Sequence, residues 1–434
     1  VRDAVFYQIF PERFANGDPA NDGPDVQPWG TRPTPQTWRI RLGGDLAGIR
    51  RHLDHLTELG VSGLYLNPVF DSLHNHAYDT SDYLKVDPRF GTNDDLKALV
   101  KDAHRSGIKV MLDAVFNHSS PEFFAFRDVR QNGLKSKYRD WFFLMGEPVV
   151  VEEGQKTYRT FAGVPTMPKL NQDNPPTRDY FLDVGTRWIK EADIDGWRLD
   201  VADEVSQHFW RRFRTEVKRA KKDAYILGEV WGDAHEYLQG DQHDAVMNYR
   251  WRKAVLDFLA YRTTTPTQFD RALRLIREDY PSATLHSMFN LLGSHDTERL
   301  RTVMKGDRKR ERLAILLQFA YPGVPSIYYG DEIGMEGGKE PLSRGPMVWD
   351  RSKWDEGLFE FYKEMIRLRK DNAALRRGSY QTLVADDQNG VFAFERSLGL
   401  EKVRIYLNAS ERPSVVDGVA VRPLDYVLLS FRSP

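Results

Sequence analysis

Eight short apolar segments recur along the chain, and longer segments with the period of an amphipathic helix separate most of them. This alternation restricts the fold most, because strands joined by helices form either a closed parallel β/α barrel or an open doubly wound sheet. The open sheet usually carries a glycine-rich phosphate loop, and the sequence has neither a G-x-G-x-x-G nor a Walker pattern. We therefore predict an α/β fold, the (β/α)8 TIM barrel, with strands at residues 4–9, 61–66, 108–113, 194–200, 224–229, 245–248, 287–292 and 324–329.

Two segments interrupt this alternation and predict additional domains. Residues 119–170 follow the third strand and are irregular and rich in aromatic side chains, which indicates a small inserted subdomain, here called subdomain B. After about residue 375 the pattern becomes alternating β without helices, which is typical of a compact antiparallel domain. We predict that residues 1–118 and 171–374 form the barrel, and that residues 375–434 form a C-terminal β domain.

The amino-acid composition limits which kinds of binding partner and which cellular compartment we expect. Lys and Arg number 62 against 63 Asp and Glu, so the charge balance gives no reason to expect nucleic acid or anionic lipid as a partner. Cysteine is absent, which excludes disulfides and thiolate chemistry, and the apolar runs are too short to span a membrane. The first residues do not resemble a signal peptide, so we predict a cytoplasmic protein. Secretion stays open if a signal was removed, and the oligomeric state is left open.

The fourth predicted strand ends on a carboxylate, Asp200, with Arg198 two residues before it. Residues i and i+2 of a strand point to the same side, so the two side chains are expected to lie together at one edge of the sheet. A guanidinium at that distance would keep Asp200 ionised, as a nucleophilic carboxylate must be. A purely structural ion pair is the alternative for any single pair of this kind.

Other predicted strands also end in polar residues, and in a barrel these ends meet at one mouth, where catalysis takes place. Several carboxylates in one cavity repel one another, so at least one should retain its proton near neutral pH. Glycoside hydrolysis needs this combination of one acid and one ionised carboxylate. A metal site is the competing interpretation, but the sequence lacks a tight ligand pair such as H-x-x-x-H. The residues predicted at this mouth are Asp113, His118, Arg198, Asp200, Glu229, His295 and Asp296.

Four segments at the predicted strand ends together resemble the α-amylase family, glycoside hydrolase family 13. They are Asp113-Ala-Val-Phe-Asn-His118, Gly196-Trp-Arg-Leu-Asp-Val-Ala-Asp-Glu204, Gly228-Glu-Val-Trp231 and Leu292-Gly-Ser-His-Asp-Thr297. The resemblance extends from Tyr7 into the C-terminal β domain. The order of the segments and their positions make it far more specific than any one of them alone.

The resemblance implies a role for each matching residue. Asp200 would be the nucleophile, Glu229 the general acid/base, and Asp296 the carboxylate that stabilises the transition state. Tyr78 would form the stacking platform under the reacting glucose, and Asp350 would bind the second glucose on the non-reducing side. The further residues implied to bind substrate are Asp113, His118, Arg198, Trp231 and His295.

The first loop contains a cluster of oxygen ligands that predicts a structural calcium ion. Such clusters suit hard cations, although an Asn/Asp/Gly turn is the alternative for an isolated segment. The resemblance favours calcium, because neopullulanases and maltogenic amylases carry a similar loop that a Gly-Gly-Asp segment completes. The predicted ligands are Asn16, Asp18, Asn21, Asp22, Gly43 and Asp45.

Met167-Pro-Lys-Leu-Asn171 resembles the cyclomaltodextrinase, neopullulanase and maltogenic amylase group within this family. We therefore predict retaining hydrolysis of α-1,4-glucosidic bonds, with some α-1,6 cleavage, in maltooligosaccharides, cyclodextrins, pullulan or starch. Gly232 occupies the position at which the group carries a histidine. The balance between hydrolysis and transglycosylation is therefore left open. A glucanotransferase or trehalose-forming isomerase is therefore an alternative, and a catalytically dead binding relative is disfavoured because all three carboxylates are present.

Overall fold

The computed structural model describes residues 1–432 and contains the predicted barrel. The strands of its main sheet are β1 Phe6–Ile9, β2 Gly63–Leu66, β3 Lys109–Ala114, β4 Gly196–Leu199, β5 Tyr225–Gly228, β6 Ala245–Val246, β7 Phe289–Leu291 and β8 Val324–Tyr328. All neighbouring strands are parallel, and their spatial order is β6-β5-β4-β3-β2-β1-β8-β7. A parallel bridge between Met247 and Phe289 joins the two outer strands and closes the barrel.

The barrel strands are buried along nearly their whole length, and only Lys109 at the start of β3 is exposed. Strands covered on both faces read as continuous apolar runs, and this is why short apolar runs in the sequence located them. The polar residues that follow each run lie where the strand leaves the apolar layer. The fold class predicted from the sequence is confirmed.

Helices separate most of the strands, as the sequence predicts. The segment 46–59 forms two helices, because the backbone of His52 leaves helical geometry between them. The His52 ring stacks on Trp349 with centroids 3.7 Å apart. The α-helices are Pro11–Phe14, Leu46–Arg51, Leu53–Leu59, Asn93–Arg105, Phe124–Asn132, Pro175–Ala192, Gln207–Ala220, Tyr249–Leu259, Pro266–Asp279, Ser282–Leu285, Leu300–Val303, Arg308–Ala320, Glu356–Asp371 and Ala373–Arg377.

Two excursions from the barrel reach its carboxyl-terminal mouth. An antiparallel hairpin of Phe70–Ser72 and Thr80–Val86 follows β2. The segment 119–170 follows β3, and its aromatic rings pack together. The ring centroid of Phe126 lies 4.8 Å from that of Phe142 and 4.9 Å from that of Tyr158. An isolated antiparallel bridge from His118 to Lys169 ties this segment back to the barrel, and a second one, from Phe142 to Leu170, lies within it.

The last part of the chain is an antiparallel sheet of strands β9 to β12, in the order β9-β10-β11-β12. Phe392 packs edge-on against Phe269 of a barrel helix, and the buried Arg396 donates to the carbonyl of Ala320. The sheet therefore shares its packing with the barrel. Its strands are Ser379–Asp386, Val391–Leu398, Glu401–Asn408 and Asp425–Arg432, beside a separate pair of Ser414–Val416 and Val419–Val421.

Among residues 1–432, no helix combines the length and the apolar character that crossing a bilayer requires.

Candidate active site

The strand ends open into a cavity of about 440 Å³ at the mouth of the barrel. Carboxylates, imidazoles and aromatic rings from the barrel, from the hairpin after β2 and from segment 119–170 form its wall. The residues that line it are His76, Tyr78, His118, Phe161, Met167, Asp200, Val201, Asp203, Glu204, Glu229, Trp231, His295, Asp296, Glu340 and Arg344.

One guanidinium lies at the centre of the site. Arg198 is fully buried, and its Nη1 lies 2.9 Å from Asp113 Oδ1 and 2.7 Å from Asp200 Oδ1. Its Nη2 lies 2.7 Å from Glu229 Oε2. A planar cation with several donors can hold carboxylates on different strands in fixed positions. Arg198 therefore joins the ends of three neighbouring strands, β3, β4 and β5.

The charges of this cluster do not balance, because one cation faces three carboxylates. Burial raises the pKa of Asp200 well above its ordinary value; Arg198 opposes this, while Glu229 and Asp113 add to it. Burial likewise raises the pKa of Asp113. Arg198 thus favours ionised Asp200 as the sequence predicted, but burial and the neighbouring carboxylates act more strongly in the opposite direction.

Glu229 is oriented by two hydrogen bonds that come from opposite sides. Its Oε2 accepts from the backbone N–H of Val201 at 3.0 Å, and its Oε1 accepts from Trp231 Nε1 at 3.1 Å. Val201 has a φ of 45°, a left-handed conformation that β-branched residues rarely adopt. The turn after the nucleophile candidate thus holds a strained backbone whose N–H points at the candidate acid.

Tyr78 and His295 form the floor of the cavity. Their rings stack with centroids 5.3 Å apart and planes 5° apart, and Tyr78 Oη lies 2.5 Å from His295 Nε2. Gln8 Nε2 lies 2.8 Å from His295 Nδ1. Because the Gln8 amide donates to Nδ1, the single proton of the neutral His295 ring lies on its own Nε2. Burial lowers the pKa of His295 well below its ordinary value, which keeps the ring neutral. Tyr78 Oη in turn donates to Asp113, at 2.9 Å.

His118 forms part of the wall that segment 119–170 completes. Phe161 stacks on its ring with centroids 4.9 Å apart and planes 10° apart. His118 Nε2 lies 3.1 Å from the carbonyl oxygen of Tyr78, and burial lowers the pKa of the ring to about 4. A neutral His118 donating to that carbonyl connects the insertion to the Tyr78 loop.

Asp296 is held by residues that the sequence analysis did not select. Arg344 Nη2 lies 3.2 Å from Asp296 Oδ1, its Nη1 lies 2.7 Å from Glu340, and its Nε donates to the carbonyl of His295. Glu340 and Arg344 belong to the long irregular segment after β8, where no strand end marks them. Their only sequence signal is an acid–base pair four residues apart, which is common on any surface.

The other predicted binding residues divide into three positions. Trp231 lies on the cavity wall, half-exposed, and stacks on Tyr249 with centroids 3.7 Å apart. Asp113 and Arg198 lie behind the wall rather than on it. Asp350 does not line the cavity. It is exposed and accepts hydrogen bonds from Ser352 at the start of a short helix, and its contact with a second glucose stays a prediction.

The predicted calcium ligands lie together around the first loop. Asp45 accepts backbone N–H bonds from Gly17, Asp18 and Gly48, which folds the loop onto its carboxylate. Gly43 has a φ of 77°, and a Cβ there would lie 2.2 Å from Asp22 Oδ1, so only glycine fits. Three buried side-chain oxygens in this loop accept no hydrogen bond, and they are the Oδ1 atoms of Asn16, Asn21 and Asp22.

A (β/α)8 barrel whose mouth holds a guanidinium-bridged carboxylate pair and a third carboxylate defines a glycoside hydrolase. Residues 8–378 match the family Alpha-amylase, described as "Alpha amylase, catalytic domain". The chain belongs to the α-amylase family and is an enzyme that hydrolyses α-glucosidic bonds.

Three known proteins illustrate the similarity. A cyclomaltodextrinase of Bacillus sp is 50% identical over 94% of this chain and 73% of its own length. Neopullulanase 2 of Thermoactinomyces vulgaris is 49% identical over 94% of this chain and 69% of its own length. The cyclic alpha-maltosyl-(1-->6)-maltose hydrolase of Arthrobacter globiformis, in complex with that cyclic sugar, superposes with a TM-score of 0.95 at 39% identity. That alignment covers 99% of this chain and 98% of the other.

Proposed function

We propose that the enzyme cleaves α-1,4-glucosidic bonds in cyclodextrins and maltooligosaccharides, with activity on pullulan and starch, by a retaining double displacement. The observation that carries the mechanism is the single guanidinium of Arg198 between Asp200 and Glu229. Retaining enzymes place their two carboxyl groups about 5–5.5 Å apart, whereas inverting enzymes separate them by about 6.5–9.5 Å to admit a water molecule. One guanidinium bridging both groups favours the shorter separation.

In the first step Glu229 donates its proton to the glycosidic oxygen while Asp200 Oδ attacks the anomeric carbon. The bond between that carbon and the glycosidic oxygen breaks, the leaving sugar departs as an alcohol, and a glucosyl ester of Asp200 forms. In the second step the Glu229 carboxylate takes a proton from water, whose oxygen attacks the anomeric carbon and releases Asp200. An acceptor sugar in place of water gives transglycosylation.

The remaining groups bind and orient the sugar around these two. Asp296 would accept hydrogen bonds from sugar hydroxyls, with Arg344 holding its carboxylate in place. Tyr78 would stack against one face of the reacting ring. The neutral His118 and His295 would border the reacting sugar without adding charge to the site, and their N–H groups would hold Tyr78 in place.

Product analysis tests this proposal. We expect maltose and glucose from cyclodextrin, panose from pullulan, and an initial product whose reducing end has the α configuration by NMR. Accumulation of chains longer than a maltotriose substrate would assign the enzyme to the glucanotransferases. An initial β product would exclude retention.

The charge of Asp113 provides a test of the electrostatics. It contributes to the raised pKa of Asp200, and Arg198 would be shared among fewer carboxylates without it. We expect Asp113→Asn to lower kcat/KM and to shift the acidic limb of its pH profile to lower pH, because Asp200 then ionises more readily. The matched control is Asp94→Asn on an exposed helix turn, which should leave the limb in place. A shift to higher pH would contradict this account of the cluster.

We further propose that the first loop binds one structural calcium ion. Three buried, unpartnered oxygens beside an anchored carboxylate are a donor set that suits this hard cation. The ligands would be Asn16, Asp18, Asn21, Asp22, Asp45 and the Gly43 carbonyl. The ion would neutralise the loop and hold it against the barrel.

Calcium at about a hundred times its Kd should stabilise the fold by about 2.7 kcal/mol, which for this chain length raises Tm by about 3 °C. Chelation should reverse the shift in thermal melting. Asp22→Asn should reduce it, whereas the exposed Asp25→Asn should retain it. Equal melting curves with calcium and with chelator would refute the proposed calcium site.

A further inference from the structure

The hairpin after β2 carries a cluster of His74, His76 and Asp79 beside the active site. One potential ligand atom from each residue lies within 4.8 Å of the other two. Among residues 1–432 no other group of three His, Cys, Asp or Glu side chains meets this geometry. Imidazole nitrogen and carboxylate oxygen together are the usual ligands of zinc and its neighbours in the first transition series.

The cluster is also partly organised and reachable. The rings of His74 and His76 are nearly parallel, with planes 17° apart, and Trp38 packs against both. Asp79 is fully buried and hydrogen-bonds to His74. The His74 side chain is 16% exposed, and His76 lines the active-site cavity, so an ion can approach from either side.

We propose that His74, His76 and Asp79 bind a divalent transition-metal ion, represented here by Zn²⁺, and that this binding inhibits the enzyme. The site differs in position and chemistry from the calcium loop, whose predicted ligands are all oxygen atoms. The nearby cations Arg41 and Arg89 act on Asp79 and would weaken the affinity without preventing binding.

The inhibition follows from one hydrogen bond. His76 Nδ1 accepts the backbone N–H of Tyr78 at 3.0 Å. A metal on Nδ1 takes that lone pair, and a metal on Nε2 requires the ring proton to move to Nδ1. In either case the N–H of Tyr78 loses its acceptor, and the Tyr78 loop must shift.

That shift would reach the catalytic centre directly. Tyr78 Oη hydrogen-bonds to Asp113 and lies against His295, and its ring forms the cavity floor. Inhibition rests on the function proposed above, whereas metal binding does not. The two parts can therefore fail separately.

The experiment titrates Zn²⁺ into the 434-residue chain in the presence of saturating calcium. Isothermal calorimetry measures binding, and the rate of cyclodextrin hydrolysis is followed in parallel. We expect one Zn²⁺ to bind per chain, and we expect inhibition over the same range of Zn²⁺ concentration as binding. Adding a chelator and then restoring calcium should reverse the inhibition. The visible absorption of Co²⁺ bound in place of Zn²⁺ should report nitrogen and oxygen ligands.

The informative variant is His74→Gln, which keeps a donor for Asp79 but removes a zinc ligand. It should weaken Zn²⁺ binding and inhibition at least about tenfold, with the zinc-free rate unchanged. His208→Gln, at an exposed position on the helix Gln207–Ala220, should match the wild type.

Unchanged Zn²⁺ affinity in His74→Gln, or no binding to the wild type, would overturn the site. Binding without loss of rate would overturn the inhibitory coupling alone. If the chain hydrolyses no α-glucan, the calorimetry with His74→Gln still decides whether the metal site exists.

Discussion

Asp200→Asn is expected to lower kcat/KM on cyclodextrin by at least about 10⁴-fold, which is the size of effect that loss of a covalent nucleophile produces. The amide cannot form the glucosyl ester, while its shape and its place beside Arg198 are retained. The measurement is the initial rate at the pH optimum of the wild type. Asp94→Asn, the same substitution at an exposed position, should retain full activity.

Covalent trapping makes the assignment of the nucleophile direct. A 5-fluoro-α-glucosyl fluoride should label the wild type on the peptide that contains Asp200 and leave the Asp200→Asn variant unlabelled. A label on another carboxylate, or an active Asp200→Asn variant, would refute the assignment.

Glu229→Gln is expected to separate the two halves of the reaction. Hydrolysis of glucans should fall by about 10²–10⁴-fold, because their leaving oxygen needs a proton from a positioned acid. α-Maltosyl fluoride should still form the glucosyl enzyme, because fluoride leaves without protonation. The variant should therefore show a burst of fluoride release followed by a slow steady state.

Azide sharpens this second prediction, since it attacks without help from a base. It should accelerate turnover of Glu229→Gln and yield the α-glycosyl azide, the product of two inversions at one carbon. Glu191→Gln, on the exposed face of a barrel helix, should show neither the burst nor the rescue. A β-glycosyl azide would mean that no covalent intermediate forms.

The sequence located the barrel well because its strands are buried on both faces. Each of the eight observed strands overlaps a predicted segment. The weakest prediction was the sixth strand, expected at 245–248 and observed at Ala245–Val246. Met247 and Asn248 continue into an isolated bridge and a hydrogen bond to Phe289 rather than into a longer ladder, and local apolar character cannot reveal where a ladder stops.

The site was predictable to the extent that its residues follow strands directly. Asp200, Glu229 and His295 came from that rule together with the family resemblance, and the structure gathers them in one cavity. Glu340 and Arg344 were not foreseen, because a long loop after β8 brings them to the cavity through contacts distant in sequence. Asp350 was selected from a matching segment; it lies outside the cavity, and its role in binding a second glucose stays a prediction.

The sharing of one cation among Asp113, Asp200 and Glu229 also affects how stable the enzyme can be. In the unfolded chain these carboxylates are apart and hydrated, with ordinary affinities for protons. Because the folded site raises the pKa of Asp200, the free energy of unfolding falls as pH rises from the ordinary aspartate value toward the raised one. At neutral pH the group that attacks the sugar thus opposes the fold that presents it. Selection for heat resistance would therefore act on the apolar barrel beneath, since relieving the repulsion would also lower the activity of the site.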